Sequence, residues 1–205
     1  MNVDTFPKIT IILRGYEYPE VHRVVKNLIG SEIGAVEITM NSPNATETIG
    51  KISKEFGHVL KVGAGTVMTL EDAKKAIEAG ASFILSPIML EKEIIDFCRE
   101  NNVISVPGAF SPTEIKKSLM DGADIVKIFP AGRLGSKFII DIEAPLGKLP
   151  LMAVGGVNAD NAKEYFEAGA SFVGIGSGVF NKEDILEGNE EGIKASIKYL
   201  KEKLK

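Results

Sequence analysis

Glu78-Ala79-Gly80-Ala81-Ser82-Phe83-Ile84 recurs almost word for word as Glu167-Ala168-Gly169-Ala170-Ser171-Phe172-Val173. Each copy carries the tail of an amphipathic stretch, a glycine able to end a helix in the left-handed conformation, and residues that enter a strand. Gly34-Ala35 and Gly122-Ala123 repeat the Gly-Ala pair in shorter form. Outward from the two long copies, β-rich runs alternate with helical stretches from end to end. The predicted strands are Ile9–Arg14, Ala35–Thr39, Leu60–Ala64, Phe83–Ser86, Val103–Val106, Ile125–Phe129, Leu151–Val154 and Phe172–Ile175. Amphipathic stretches such as Tyr18–Ile29, Leu70–Glu78, Glu91–Glu100, Thr113–Met120 and Ala159–Glu167 lie between them. Ile193, Ile197, Leu200 and Leu204 fall at the spacing of a closing helix. Strands alternating with helices predict βαβ units and a parallel sheet. The long copies precede the fourth and eighth strands, half a ring apart, which favours a closed (β/α)8 TIM barrel over an open doubly wound sheet. No linker or composition break divides residues 1–205, so one α/β domain is expected.

The bulk properties exclude several classes of function. Hydrophobic content of 44% and charged content of 25% are those of an ordinary globular protein. A net charge of −4, with no basic stripe, gives no footprint for nucleic acid or an acidic membrane surface. Met1 to Lys8 lacks the basic-then-apolar order of a secretory leader, and no apolar run approaches the ~20 residues of a membrane span. The single cysteine, Cys98, fits a reducing cytoplasm and lies on the apolar face with Ile94 and Ile95, as core packing does.

The most apolar of the strands contains a lysine, Ile125-Val126-Lys127-Ile128-Phe129-Pro130. Side chains alternate along a strand, so Ile125, Lys127 and Phe129 share one face and Val126 and Ile128 the other. If both faces are covered, the ammonium is buried, its charged form is disfavoured, and the neutral amine becomes a nucleophile toward carbonyl carbon. The alternative is an edge-strand lysine that blunts aggregation. The same parity turns Glu37 inward in the second strand, where a carboxylate is costly unless paired or used. Arg14 ends the first strand and Thr66 follows Gly63-Ala64-Gly65 at the end of the third, both at the rim where barrel enzymes keep their chemistry. A structural Glu37–Lys127 ion pair and a solvated Arg14 are the competing explanations. After strands seven and eight come Val154-Gly155-Gly156-Val157-Asn158 and Gly174-Ile175-Gly176-Ser177-Gly178. Phosphate sites of such barrels are often built from those two loops, so Gly155, Gly156, Gly176 and Ser177 are expected to hold a phosphate. The two histidines, His22 and His58, lie away from this rim, and no cluster has zinc-ligand spacing, so no metal is expected.

These residues together resemble the class I, Schiff-base aldolases that split 2-keto-3-deoxy-6-phosphosugar acids, the phosphogluconate and phosphogalactonate aldolases. The resemblance runs essentially end to end. It rests on Ile12-Leu13-Arg14-Gly15, Val36-Glu37-Ile38-Thr39, Gly63-Ala64-Gly65-Thr66-Val67, Ser86-Pro87, Val106-Pro107-Gly108, Val126-Lys127-Ile128-Phe129-Pro130, Val154-Gly155-Gly156-Val157 and Gly176-Ser177. It implies that Lys127 forms the Schiff base, Glu37 shuttles protons, and Thr66 binds the keto-acid carboxylate with Arg14 as its cation. Phe129 and Pro87 would line the pocket, and the glycine loops and Ser177 would hold the phosphate. It also implies a homotrimer, a phosphorylated keto-sugar acid and pyruvate as partners, and no cofactor beyond the covalent lysine adduct. Phosphogluconate enzymes generally carry an arginine where Asn41 stands and a threonine where Val154 stands, so the chain leans to the phosphogalactonate branch. A 4-hydroxy-2-oxoglutarate aldolase of the same family, a metal-free sugar-phosphate isomerase or epimerase using Glu37 as a base, and a silent sugar-phosphate sensor are the alternatives.

Overall fold

The computed structural model describes residues 3–205; Met1 and Asn2, which open the stretch inspected for a leader, lie outside the described residues. Among the described residues, nine strands form one parallel sheet: β1 (Ile9–Leu13), β2 (Ala35–Thr39), β3 (Lys61–Gly65), β4 (Phe83–Leu85), β5 (Ile104–Val106), β6 (Gly108–Ala109), β7 (Val126–Ile128), β8 (Leu151–Val154) and β9 (Phe172–Ile175). β5 and β6 are one strand interrupted at Pro107, which has no N–H to give the ladder. The amides of Ile125, Lys127 and Phe129, in and flanking β7, bond to the carbonyls of Ser105, Pro107 and Ala109 without a break. β5 pairs on its other side with β4, so the order closes into the eight-membered ring expected from the repeats.

The helices are α1 (Tyr18–Leu28), α2 (Ala45–Phe56), α3 (Leu70–Glu78), α4 (Lys92–Glu100), α5 (Pro112–Met120), α6 (Ala131–Leu134), α7 (Lys137–Leu146), α8 (Ala162–Glu167), α9 (Lys182–Glu187) and α10 (Glu190–Leu204). Gly80, Gly122 and Gly169 adopt φ of +99°, +97° and +117°. In each case the following alanine donates back to the helix, Ala81 to Ala76, Ala123 to Ser118 and Ala170 to Tyr165, at 2.9–3.0 Å. This is the glycine-capped helix end predicted for the repeats. Gly34 departs from that expectation. It has no positive φ, and a Cβ there would approach Pro7 Cγ to 2.8 Å; Gly30, with φ +79°, is the left-handed residue after α1. The α8 start moves from the expected Ala159 to Ala162 because Asn158 Oδ1 accepts from the amides of Asp160 and Asn161, winding those residues into a turn instead.

Parity sorts the core into two layers. Ala35, Leu85, Val106, Ile125, Met152 and Phe172 fill the barrel interior, while Val36, Ile38, Val126, Ile128 and Val173 pack under the helices. Phe6 plugs the N-terminal end of the barrel, edge-on to Phe83 and Phe172 with centroids 5.1 and 5.6 Å away. Both sheet faces are thus covered, which rules out an edge-strand role for Lys127. Ile193, Ile197 and Leu200 of α10 are buried, and so is Cys98, whose thiol burial pushes up to about 12. Among the described residues, no helix is long and apolar enough to cross a membrane.

Candidate active site

Lys127 and Glu37 project into the interior from β7 and β2, which stand opposite each other in the ring. They are only 3% and 1% exposed. Burial lowers the Lys127 pKa, an effect that Glu37 opposes and Arg14 reinforces. Burial raises the Glu37 pKa, against the pull of Lys127 and then Arg14. Both groups are pushed toward their neutral forms, the condition for a nucleophilic amine and for a carboxyl that can exchange protons. The Lys127 Nζ lies 4.6 Å from the Phe129 ring centroid. Glu37 Oε2 is buried without a hydrogen-bond partner. Leaving such an acceptor unmet costs about 1–3 kcal/mol.

Glycine makes this arrangement possible. Gly65 lies at the register of Thr39, and a Cβ on it would collide with the Glu37 carboxylate. The next residue, Thr66, takes φ +58°, a rare conformation for a non-glycine residue. There the backbone divides between neighbours: Gly65 C=O accepts from Met40 N–H, and Val67 N–H donates to Leu85 C=O. The Thr66 hydroxyl is left facing β1, where it accepts from Arg14 Nη1 at 3.2 Å; the same nitrogen donates to Asn41 Oδ1 at 3.0 Å.

A cavity of about 510 Å³ opens at this rim. Arg14, Phe129, Val154, Gly155, Gly156, Gly176 and Ser177 all line it, joining the end of β1 to the loops after β7, β8 and β9. Lys127, Glu37 and Thr66 are not in its lining; Phe129, whose ring lies against the Lys127 amine, and Arg14, which bonds Thr66, connect them to it. Pro87 stands apart from the lining: its carbonyl group lies against Gly108, the residue paired with Lys127. The Gly155-Gly156 turn has φ of +87° and +83°. Gly155 C=O accepts from Gly132 N–H at 2.7 Å and Gly156 C=O from Asn161 Nδ2 at 2.9 Å. In a planar trans peptide the N–H opposes the C=O, so Gly156 N–H points away from α6.

Sequence inspection did not single out Tyr16, Asn158, Phe180 or Lys182, which line the same cavity. Asn158 and Asn161 had a signal, an Asn-x-x-Asn turn pattern directly after the glycine pair. Lys182 had none, since an exposed lysine beside a helix start is commonplace. Arg14 and Lys182 are the charged residues of the lining, which among the described residues includes no carboxylate, so the cavity favours an anion. Among the described residues, no group of three or more His, Cys, Asp or Glu could hold a metal ion.

Comparison with known proteins agrees with this geometry. The aldolase family model described as KDPG and KHG aldolase matches residues 4–196. A probable 2-dehydro-3-deoxy-6-phosphogalactonate aldolase of Rhizobium meliloti (strain 1021) is 35% identical over 170 residues, 82% of this chain and 80% of its own. A solved structure described as native KDPGal superposes with a TM-score of 0.87 at 29% identity, covering 100% of this chain and 99% of the other. The KDPG aldolase of Legionella pneumophila, captured with pyruvate as a covalent carbinolamine, gives a TM-score of 0.85 at 25% identity, with 95% and 94% covered.

Proposed function

The chain belongs to the KDPG and KHG aldolase family, and we propose that it cleaves 2-keto-3-deoxy-6-phosphogalactonate to pyruvate and glyceraldehyde 3-phosphate through a Schiff base on Lys127. The observation that carries this reading is the buried Lys127 opposite a buried Glu37, linked through Phe129 and Arg14 to an anion-favouring cavity.

The neutral Lys127 amine attacks the C2 ketone, and Glu37 passes a proton to the carbinolamine hydroxyl, which leaves as water. The resulting iminium is an electron sink. Glu37, directly or through a water, takes the C4 hydroxyl proton; the C3–C4 bond breaks toward the iminium, and the aldehyde departs. The enamine left on Lys127 is protonated at C3, and water hydrolyses the iminium to pyruvate and free lysine. Thr66 and Arg14 receive the keto-acid carboxylate. Phe129 covers the reacting carbons, and Pro87 backs the wall behind Gly108. Gly155, Gly156, Gly176 and Ser177 hold the phosphate, whose binding energy positions the distant C2.

The galactonate configuration is supported by Val154 in the cavity wall and by Asn41 beside Arg14, where the phosphogluconate type has threonine and arginine. Comparing kcat/KM for the gluconate and galactonate epimers tests this: preference for galactonate is expected, and equal or reversed preference removes it. A trimer is supported by Met68, Ile88 and Phe110, which are 47%, 52% and 49% exposed on the loops after β3, β4 and β6, adjacent in the ring. Sedimentation analysis should give three chains per particle.

A further inference from the structure

The residues assigned to the reaction leave one connected set unexplained, the loop after β2. Asn41 Oδ1 accepts from Arg14 Nη1 at 3.0 Å. Its neighbour Ser42 accepts from the Gly15 amide at 2.8 Å through its hydroxyl, which also bonds Thr39 Oγ1 at 2.9 Å. The Ser42 amide donates to Thr39 C=O at 2.9 Å, closing a tight turn at the end of β2. Two consecutive side chains thus grip two consecutive residues of the neighbouring loop, one at the guanidinium and one at the backbone. Gly15, with φ +77° and no atom within 4 Å of a Cβ position, has little packing of its own to fix Arg14. Arg14 is exposed, while Ser42 and Thr39 are buried. The grip is therefore anchored in the same strand that carries Glu37.

We propose that Asn41 and Ser42 are positioning residues of the aldolase reaction, a two-point clamp that holds the Arg14 guanidinium at the rim over the Lys127–Glu37 pair. Glu37 and Arg14 are the charged groups that act on Lys127, and the strands beside it, β6 and β8, present Gly108 and Met152 at its register. On Glu37 the acting charges are Lys127 and Arg14. Releasing Arg14 removes a positive charge from both groups and raises both pKa values. It also removes the cation that receives the substrate carboxylate. The inference rests on the Schiff-base reading above.

The test uses Asn41→Ala, which removes an exposed side chain, and Ser42→Ala, alone and in an Arg14→Ala background. Each single variant is expected to lower kcat/KM by about tenfold to a hundredfold. Each is also expected to move the ascending limb of the pH–rate profile to higher pH. Neither should add to Arg14→Ala, since the clamp acts only through that residue. Unmoved pH limbs, or full additivity with Arg14→Ala, would overturn the clamp, including where Ser42→Ala only lowers the melting temperature. Borohydride trapping of wild-type protein with pyruvate separates the two levels. Failure to trap sinks the Schiff-base reading, whereas normal trapping with unmoved limbs sinks only the clamp.

Discussion

Glu37 and Lys127 occupy opposite strands of the barrel, and each is the leading countercharge to the other's burial. Desolvation outweighs that attraction for both, so the interior holds a lysine drawn toward the free amine and a carboxylate drawn toward the acid. Glu37 Oε2 lacks a partner in the resting site. A substrate hydroxyl would supply one.

Glu37→Gln keeps the shape of the carboxyl and removes its proton exchange. Loss of a positioned acid–base group costs on the order of 10²–10⁴-fold in rate. The kcat of cleavage should fall by that factor. A kcat within tenfold of wild type would move the proton work to another group.

Lys127→Met should show the cost of the buried amine as a pH dependence. The folded-state pKa of Lys127 is depressed. Its contribution to stability is therefore intact above the unfolded value, about 10.4, and lost as the pH falls through the folded one. The melting temperature of Lys127→Met relative to wild type should therefore climb as the pH is lowered from about 10.5 toward neutrality, the attraction of Glu37 only partly offsetting the trend. A difference that stays flat with pH would mean the amine is not desolvated.

The glycine loops should discriminate between phosphorylated and unphosphorylated substrates. At Gly156, φ is +83° and a Cβ would lie 3.0 Å from Gly132 Cα, so Gly156→Ala carries roughly 1–3 kcal/mol of backbone strain at the turn. KM for the phosphorylated sugar acid should rise about tenfold or more. Ser177→Ala, losing one hydrogen bond worth about 1 kcal/mol, should raise it about fivefold. Cleavage of unphosphorylated 4-hydroxy-2-oxoglutarate should change little in either variant. Equal losses on both substrates would place the phosphate elsewhere.

Val154 lines the cavity and packs over Gly174. Val154→Thr keeps the shape and adds a hydroxyl at the wall. The kcat/KM ratio should shift toward the gluconate epimer, because a new hydrogen-bond donor rewards the hydroxyl it can reach. An unchanged ratio would free Val154 from stereochemical duty.

Much of this is legible in the sequence. The Glu-Ala-Gly-Ala-Ser-Phe repeat predicted helix caps and strand entries that Gly80, Gly169 and their neighbours adopt. Period-two alternation placed Ile125 and Ala35 in the interior layer and Val126 and Val36 in the outer one, and so turned Lys127 and Glu37 inward. Local signals misled where a contact from afar decided the outcome. Gly34 looks like a cap, yet it is small because Pro7 crosses over it. The departure of Pro87 from the cavity lining and the approach of Lys182 to it depend on how loops from separate strands fold over the rim, which no local pattern encodes. The Asn41–Arg14 and Ser42–Gly15 bonds belong to the same class, since they join loops of neighbouring strands through side chains that read as ordinary turn residues.

The most direct test is to incubate the protein with pyruvate, reduce with borohydride, digest, and locate the modified residue by mass spectrometry. A reduced pyruvate adduct on Lys127, absent in Lys127→Met, is the predicted result. No stable adduct, or an adduct on a different lysine while Lys127 remains free, would contradict the assignment of Lys127 as the Schiff-base nucleophile.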